Sequence, residues 1–401
     1  MRDRVLFLTT RLPWPPDIGG TQGTGRLLRE LAREFDVDVW CLHREPGLPA
    51  TIEDIARALG GVRLRLFPCR DRRRSAVNLA ISILHGVPLN VYRNLHAGFA
   101  REVRTRASGY SILIADHYEM FHYVPRGYSG RVLFVEHNIE WDLWRRYASL
   151  PVGPHLRAVA RFESSRIRAY ERDAIRRATA VVCLSADDAR RAAALAGNDV
   201  RHVHHVPVVG DTDLLQCPAP EYAATKPIVL FVGTLTWEPN VDGLCEFIKT
   251  AWDAVRSALP EAQLRIVGRS PHPRLQTVAQ RHEGVLLTGY RESLNEEYAV
   301  ARAVAAPLRF GGGVKVKVVN AMMRGLPVVS TPVGMEGIAG AEEYGGAART
   351  IADMAGVLIR LMKDGAFWTH LSITGRMLAE RRFGDAAVRE SLLRVLRSLR
   401  V

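Results

Sequence analysis

The sequence predicts an α/β protein made of two successive doubly wound units. Three observations carry this. First, short apolar runs such as Val5–Thr9 and Ile228–Val232 are each followed by a glycine-bearing loop, a stretch with helical spacing and a further apolar run. That is the pattern of buried parallel strands joined by helices. Second, the pattern stops at a proline-punctuated stretch, Gln216–Pro227, and then restarts. Third, Ala303–Ile338 reads as strand, three-glycine turn, short helix and strand, a complete βαβ unit.

In the first half, Val5–Thr9 is followed by a loop containing Gly19 and Gly20, a helix from about Arg26 to Phe35 with Leu27, Leu28 and Leu31 on its apolar face, and a strand at Val37–Leu42. Gly19-Gly20 sits where doubly wound folds bind ligands, and its backbone amides could approach a substrate. A plain structural loop is an equal reading. Further strands are expected at Val62–Phe67, Ser111–Ala115, Val132–Val135, Ala180–Leu184 and Val203–Val209. Arg70, Arg72, Arg73 and Arg74 precede an apolar helical stretch, Ala76–Leu84. That pairing has a membrane-surface character, although a core helix behind a solvated loop is the favoured reading. The strand at Val132–Val135 ends in Glu136-His137-Asn138, with Glu140 beyond. A histidine at such a strand end is placed for chemistry; His117 and Glu119 form a second, weaker pair. Ser185 with Asp187 and Asp188 marks a helix start.

In the second half, Ile228–Val232 leads into Gly233-Thr234 and an amphipathic helix, Val241–Leu259. Strands at Leu264–Val267 and Val285–Thr288 end in Gly268-Arg269 and Gly289-Tyr290-Arg291. Glu292–Arg302 reads as a helix and Ile351–Val401 as mostly helical. Gly311, Gly312 and Gly313 let backbone N–H groups converge without Cβ obstruction, and the following helix start adds partial positive charge. With Lys315 and Lys317 alongside, the turn is a candidate cradle for a phosphate or diphosphate.

The chain has 401 residues, room for two domains at roughly 150 residues each. Its hydrophobic fraction of 47% and charged fraction of 24% are those of an ordinary globular protein. The five cysteines form no CxxC pair, which argues against disulfide frameworks and zinc sites. The first residues carry too short an apolar run for a signal peptide, and no run has the 18 or so residues needed to cross a bilayer. A cytoplasmic protein is expected, with peripheral contact at the inner face of the membrane as an additional reading. The net charge of +13 suits polyanions, anionic membranes or phosphorylated substrates, and equally an arginine-rich composition without such meaning. No nucleic-acid-binding signature is present, so nucleic acid is not an expected partner.

The ordered motifs Val-Gly-Thr-Leu, Pro-Asn, Arg-Ile-Val-Gly, Thr-Gly-Tyr, Ala-Pro-Leu-Arg-Phe-Gly-Gly-Gly-Val, Lys-Val-Val-Asn-Ala-Met and Gly-Leu-Pro-Val-Val-Ser-Thr resemble the C-terminal domain of family 4 retaining glycosyltransferases of GT-B fold. The resemblance is strong from Pro227 to Ile338 and looser before it, and is nearest to bacterial enzymes of polysaccharide and natural-product assembly. It implies two Rossmann-like domains facing across a cleft: an acceptor-side domain at 1–216, a linker at 217–227, a donor domain at 228–384, and a C-terminal helix at 385–401 packing back on the first domain. It also implies transfer, with retention, from a nucleotide-diphosphate sugar to a hydroxyl of a glycan, a lipid-linked sugar or a small aglycone. The donor would be a substrate, and neither a cofactor nor a metal site is implied. By resemblance His137 lies near the transferred sugar, Lys317 contacts the diphosphate, Gly311, Gly312, Gly313 and Val314 form the phosphate-facing turn, and Tyr290 and Arg291 lie near the nucleobase. Gly233, Thr234, Arg269, Arg309 and Asn320 complete the expected donor site. Two positions depart from the family pattern: Asn320 stands where a ribose-binding glutamate is usual, and Thr234 where an arginine is. Arg309, Lys315 or Arg269 could replace the missing cation. The departures keep two alternatives open, a non-catalytic regulatory or scaffold subunit and a GT-B nucleotide-sugar epimerase. A nicotinamide-dependent oxidoreductase is disfavoured, because no GxGxxG follows a strand.

Overall fold

The computed structural model describes residues 2–15, 19–44, 47–48, 50–150, 153–197, 202–338 and 344–399. They form two compact units, one of Met1–Pro207 with Arg389–Val401 and one of Val208–Val388.

Unit 1 holds strands β1 (Arg4–Thr9), β2 (Asp36–His43), β3 (Arg63–Pro68), β4 (Ile112–Asp116), β5 (Arg131–Glu136), β6 (Ala180–Cys183) and β7 (Val203–His205). Their spatial order is β3-β2-β1-β4-β5-β6-β7, and every neighbouring pair is parallel. The inner residues of β1, β4, β5 and β6 are apolar because helices cover both faces: Leu6, Leu8, Leu113 and Phe134 are wholly buried. The helices are α1 (Gly19–Glu34), α2 (Ile52–Ala58), α3 (Ala76–Leu84), α4 (Leu89–Arg93), α5 (Ala97–Arg106), α6 (Glu140–Ala148), α7 (Pro154–Arg177) and α8 (Ala186–Ala196). Ser185 caps α8 by accepting the Asp188 N–H at 3.0 Å, as its sequence setting suggests.

Helix α1 begins seven residues before its expected start, so Gly19 and Gly20 open a helix instead of lying in a loop. Residues 16–18 of the expected loop lie outside the described residues. The helix extends backward because its inward face continues through Thr21 and Thr24, both buried, in step with Leu28 and Leu31. Helix α3 occupies its expected residues but is not a core helix: one face is open to solvent, with Leu84 87% exposed.

Unit 2 holds β8 (Ile228–Val232), β9 (Gln263–Val267), β10 (Val285–Gly289), β11 (Ala303–Ala306) and β12 (Val328–Ser330), in the parallel order β10-β9-β8-β11-β12. Its helices are α9 (Glu238–Phe247), α10 (Asp253–Ala258), α11 (Pro273–Gln280), α12 (Asn295–Val300), α13 (Val316–Arg324), α14 (Pro332–Met335), α15 (Met354–Lys363) and α16 (Gly365–Phe383). Helix α17 (Asp385–Ser398) follows, and the second unit ends within it. The helix expected at Val241–Leu259 is instead α9 and α10 joined through a π-helical turn, Ile248–Trp252, in which Trp252 is buried and donates from its indole to the Glu283 carbonyl at 2.9 Å. Helix α9 lies directly on the chain after β11, since a Cβ on Gly243 would stand 1.8 Å from the Pro307 oxygen.

The stretch 217–227, read in the sequence as a linker, is packed into the second unit. Tyr222 donates to the Met362 carbonyl at 2.6 Å, and Arg376 holds the carbonyls of Leu215 and Cys217. Prolines broke its periodicity without freeing it from the fold. No helix among the described residues is long and apolar enough to cross a membrane.

Candidate functional site

In each sheet the strand order reverses direction at one place, between β1 and β4 in unit 1 and between β8 and β11 in unit 2. Open parallel sheets leave a crevice at the carboxyl ends of the strands there, because the connecting helices go to opposite faces. Lys317 with the glycine turn, and His137 with Asp116, fall at these two places.

In unit 2, β8 ends at Gly233 and β11 leads into the glycine turn before α13. Lys317, one residue into α13, reaches back to β8. Its Nζ donates to Asn240 Oδ1 at 2.7 Å and lies 4.0 Å from the centre of the Phe231 ring. Asn240 is fixed in turn by its own amide, which donates to the Thr234 carbonyl at 2.9 Å. Gly233 leaves the space for this cluster, since a Cβ there would be 3.0 Å from Asn240 Nδ2 and 3.4 Å from Lys317 Nζ. Lys315 caps the approach to α13 and folds back on the turn, donating to the Gly313 carbonyl at 2.5 Å. Gly313, at φ 64°, is in the left-handed region that favours glycine. Burial, with the Lys315 charge beside it, lowers the Lys317 ammonium to about 7. Its hydrogen-bond partner among the described residues is a neutral amide, so an incoming anion would complete the site electrostatically.

The other expected donor residues are placed as follows. The Arg269 guanidinium lies 3.7 Å from the Tyr290 ring centre, forming a flat surface beyond β9 and β10. Arg291 lies 3.6 Å from Glu297. Arg309 is held by both oxygens of Asp242, at 2.6 and 2.8 Å. It lines a groove of about 430 Å³ with Glu246, Thr331 and Arg349, whose lining does not include the glycine turn. The buried Asn320 accepts the Asp211 backbone N–H on Oδ1 at 2.8 Å, so its acceptor oxygen is used by the fold.

In unit 1, the ends of β1, β4 and β5 bring together Thr9, Asp116, His117 and His137. Asp116 is fully buried. Its Oδ2 accepts hydrogen bonds from Thr9 at 2.8 Å and from Thr24 of α1 at 3.2 Å, and its Oδ1 lies 2.7 Å from His137 Nε2. Burial alone would raise the carboxyl, but the two histidines and these hydrogen bonds outweigh it and hold Asp116 at about 2. His137 thus donates from Nε2 to a carboxylate, and Nδ1 is left for other partners. The His117 ring stacks on His137 with centres 3.7 Å apart and planes 21° apart, and burial followed by the His137 charge lowers it to about 3. Asp116, His117 and His137 are close enough together to reach one cation. The near-parallel stack opposes this, since an ion bound in the plane of one ring would lie well out of the plane of the other.

Behind this group, Glu171 accepts the Glu140 and Trp141 N–H groups at 2.7 and 3.1 Å and so caps α6. Glu136 is buried, and burial with the neighbouring carboxylates raises it. Burial and Glu119 raise Glu140 to about 8.

The sequence reading missed Asn240, Asp116, Thr9 and Thr24. Asn240 had a signal, in the Pro-Asn that opens an amphipathic helix just after a strand-end glycine. Asp116 had another, as the last residue of a strand otherwise wholly apolar.

Residues 226–364 match the family model described as glycosyl transferases group 1. No curated protein matches by sequence. Among solved structures, sucrose-phosphate synthase from Thermosynechococcus elongatus is similar at a TM-score of 0.74 and 17% identity, with 99% of each chain covered. Anabaena HepE in complex with UDP and glucose is similar at 0.70 and 14%, covering 99% of this chain and 100% of that one. WaaG, a glycosyltransferase involved in lipopolysaccharide biosynthesis, is similar at 0.64 and 14%, covering 98% and 99%. The chain therefore has the GT-B fold, and its second unit matches the glycosyl transferases group 1 family.

Proposed function

We propose that the protein is a glycosyltransferase that moves a sugar, with retention, from a nucleotide-diphosphate sugar held by unit 2 to an acceptor hydroxyl. The observation that carries this is Lys317, an ammonium beside a glycine turn at the sheet's switch point, hydrogen-bonded to a neutral amide. As the bond from the anomeric carbon to the phosphate oxygen breaks, negative charge builds on the diphosphate. In this reading Lys317 and the backbone N–H groups of the Gly311–Gly313 turn stabilise it. Tyr290 and Arg269 supply a planar surface for the base. In unit 1, His137 is oriented by Asp116 and keeps Nδ1 for a sugar hydroxyl. A glycan or a lipid-linked sugar is the proposed acceptor, and a cytoplasmic setting suits a nucleotide-sugar donor.

Structurally similar HepE is recorded with UDP and glucose, which makes UDP-glucose the first donor to test. Calorimetric binding and turnover across a panel of nucleotide sugars, with Lys317→Ala as control, tests the proposal. Neither binding nor turnover of any donor would overturn it.

One observation favours a second reading, a GT-B subunit without catalysis. The side-chain oxygen at position 320 is engaged by Asp211 instead of facing a ligand. Asn320→Glu separates the two. A large gain in turnover indicates a decayed site, and a loss indicates a site adapted to asparagine.

A further inference from the structure

Helix α3 presents an apolar face that unit 1 does not use. Ser82 is buried on the inner side, where Arg166 of α7 donates to its hydroxyl at 3.1 Å and its carbonyl at 3.0 Å, and Leu79 packs toward the core. On the outer side Val77 is 68%, Ile83 47% and Leu84 87% exposed, with Ala80 between them. Phe162, 46% exposed, extends the surface, since the same Arg166 guanidinium lies 5.4 Å from its ring centre. Single exposed apolar side chains are ordinary, but a contiguous apolar helix face is a docking surface.

The surrounding charge identifies the partner. Arg70 and Arg73 are exposed just before α3, whereas Arg72 is engaged by the carbonyls of Tyr92 and Leu95, and Arg74 donates to the Asn90 side-chain oxygen at 3.4 Å and lies 5.4 Å from the Trp144 ring centre. The acidic residue among them, Asp71, pairs with Arg93. Helix α3 has no acidic residue in its first turn. Cations at the positive end of a helix dipole do not favour the helix, so Arg70 and Arg73 have no evident stabilising role there. A plane of anionic headgroups would satisfy both the arginines and the helix end, while the acyl boundary takes up Val77, Ala80, Ile83 and Leu84. At nine residues α3 is about 13 Å long, which suits lying in the interface and not spanning it. A second copy of the chain is a poorer occupant, because apposing two α3 faces about a twofold axis would bring the two arginine groups together.

We propose that α3, with Arg70 and Arg73, docks unit 1 on an anionic bilayer surface. Flotation of the whole chain with phosphatidylcholine vesicles, with and without phosphatidylglycerol, tests this. The wild type should float with the anionic vesicles and be released by high salt. Leu84→Glu should abolish flotation. Arg70→Gln with Arg73→Gln should weaken partitioning by about 25-fold, about five-fold per arginine. The same charge change elsewhere, Arg101→Gln with Arg104→Gln, should have much less effect. All variants should keep the wild-type melting temperature and donor binding. Equal flotation of Leu84→Glu and wild type, or no flotation of wild type, overturns the proposal. So does a wild-type dimer in light scattering that Leu84→Glu dissociates, which would assign the face to a second copy. Donor binding is read separately, so flotation without any donor binding would count against the transferase reading alone.

Discussion

Lys317 should make donor binding depend on pH in a specific direction. In the free protein its ammonium titrates at about 7, well below the lysine reference of 10.5, because it is desolvated and faces Lys315. A bound diphosphate restores the charged form and raises that value. Below pH 7 the ammonium is already present and affinity should be flat. Above pH 7 binding must take up a proton, so the dissociation constant should rise by up to about tenfold per pH unit until the value in the complex is reached. Charge-assisted hydrogen bonds contribute about 1.5–3 kcal/mol, so Lys317→Ala should weaken the donor by about 10- to 150-fold at pH 6.5 and remove the pH dependence. Stability should respond in the opposite sense. A lysine whose folded value is depressed contributes stability that is lost as pH falls from 10.5 through 7. Lys317→Met should therefore stabilise the unliganded protein at pH 6, by on the order of 1–2 kcal/mol once the partial exposure of the side chain is discounted. Titration calorimetry in buffers of different ionisation enthalpy reports the proton uptake, and urea denaturation reports the stability. Donor affinity independent of pH between 6 and 9, with no buffer-dependent heat, would refute the reasoning.

Three further outcomes are expected. Asp116→Asn leaves Thr9, Thr24 and His137 competing for one amide oxygen, and should cost about 3 kcal/mol in urea denaturation. His117, depressed from 6.5 to about 3, contributes stability that is present above pH 6.5 and lost as the pH falls toward 3; His117→Asn should flatten that acid limb in thermal melts at a series of pH values. Gly243→Ala would place a methyl 1.8 Å from the Pro307 oxygen, so α9 must shift, and the melting temperature should fall by an amount equivalent to about 3 kcal/mol.

The strands and most helices were legible because burial on both sides of a parallel sheet demands continuous apolar runs, and Val5–Thr9, Ile228–Val232 and Ala303–Ala306 supply them. Where polar residues take inward positions, apolar periodicity under-reads the fold. Thr21 and Thr24 continue the buried face of α1, and Thr24 is there to bond Asp116. The same limit hid Asn240: an amide in the first turn of α9 carries no apolar signal, yet it fixes Lys317 by tying it to the Thr234 carbonyl. The stretch 217–227 fails in the opposite way. Its prolines resemble a break, but Tyr222 and the arginines at 324 and 376 bind its backbone into unit 2.

Lys317 and Asn320 show why a motif reveals a site before it reveals the site's state. Both lie on α13, three residues apart, and both were singled out by the family resemblance. The resemblance could identify Lys317 as the cation, but not that burial and Lys315 leave it only partly charged near neutral pH. That follows from β8, α9 and the glycine turn converging on it at the switch point. The resemblance could also mark Asn320 as a missing carboxylate, but not that its oxygen is engaged by Asp211, more than a hundred residues earlier in the chain. A glutamate at 320 could accept the same N–H while adding a buried negative charge one helical turn from Lys317. That charge would favour the ammonium and oppose an incoming diphosphate. The neutral amide therefore leaves an incoming anion as the stronger partner for Lys317.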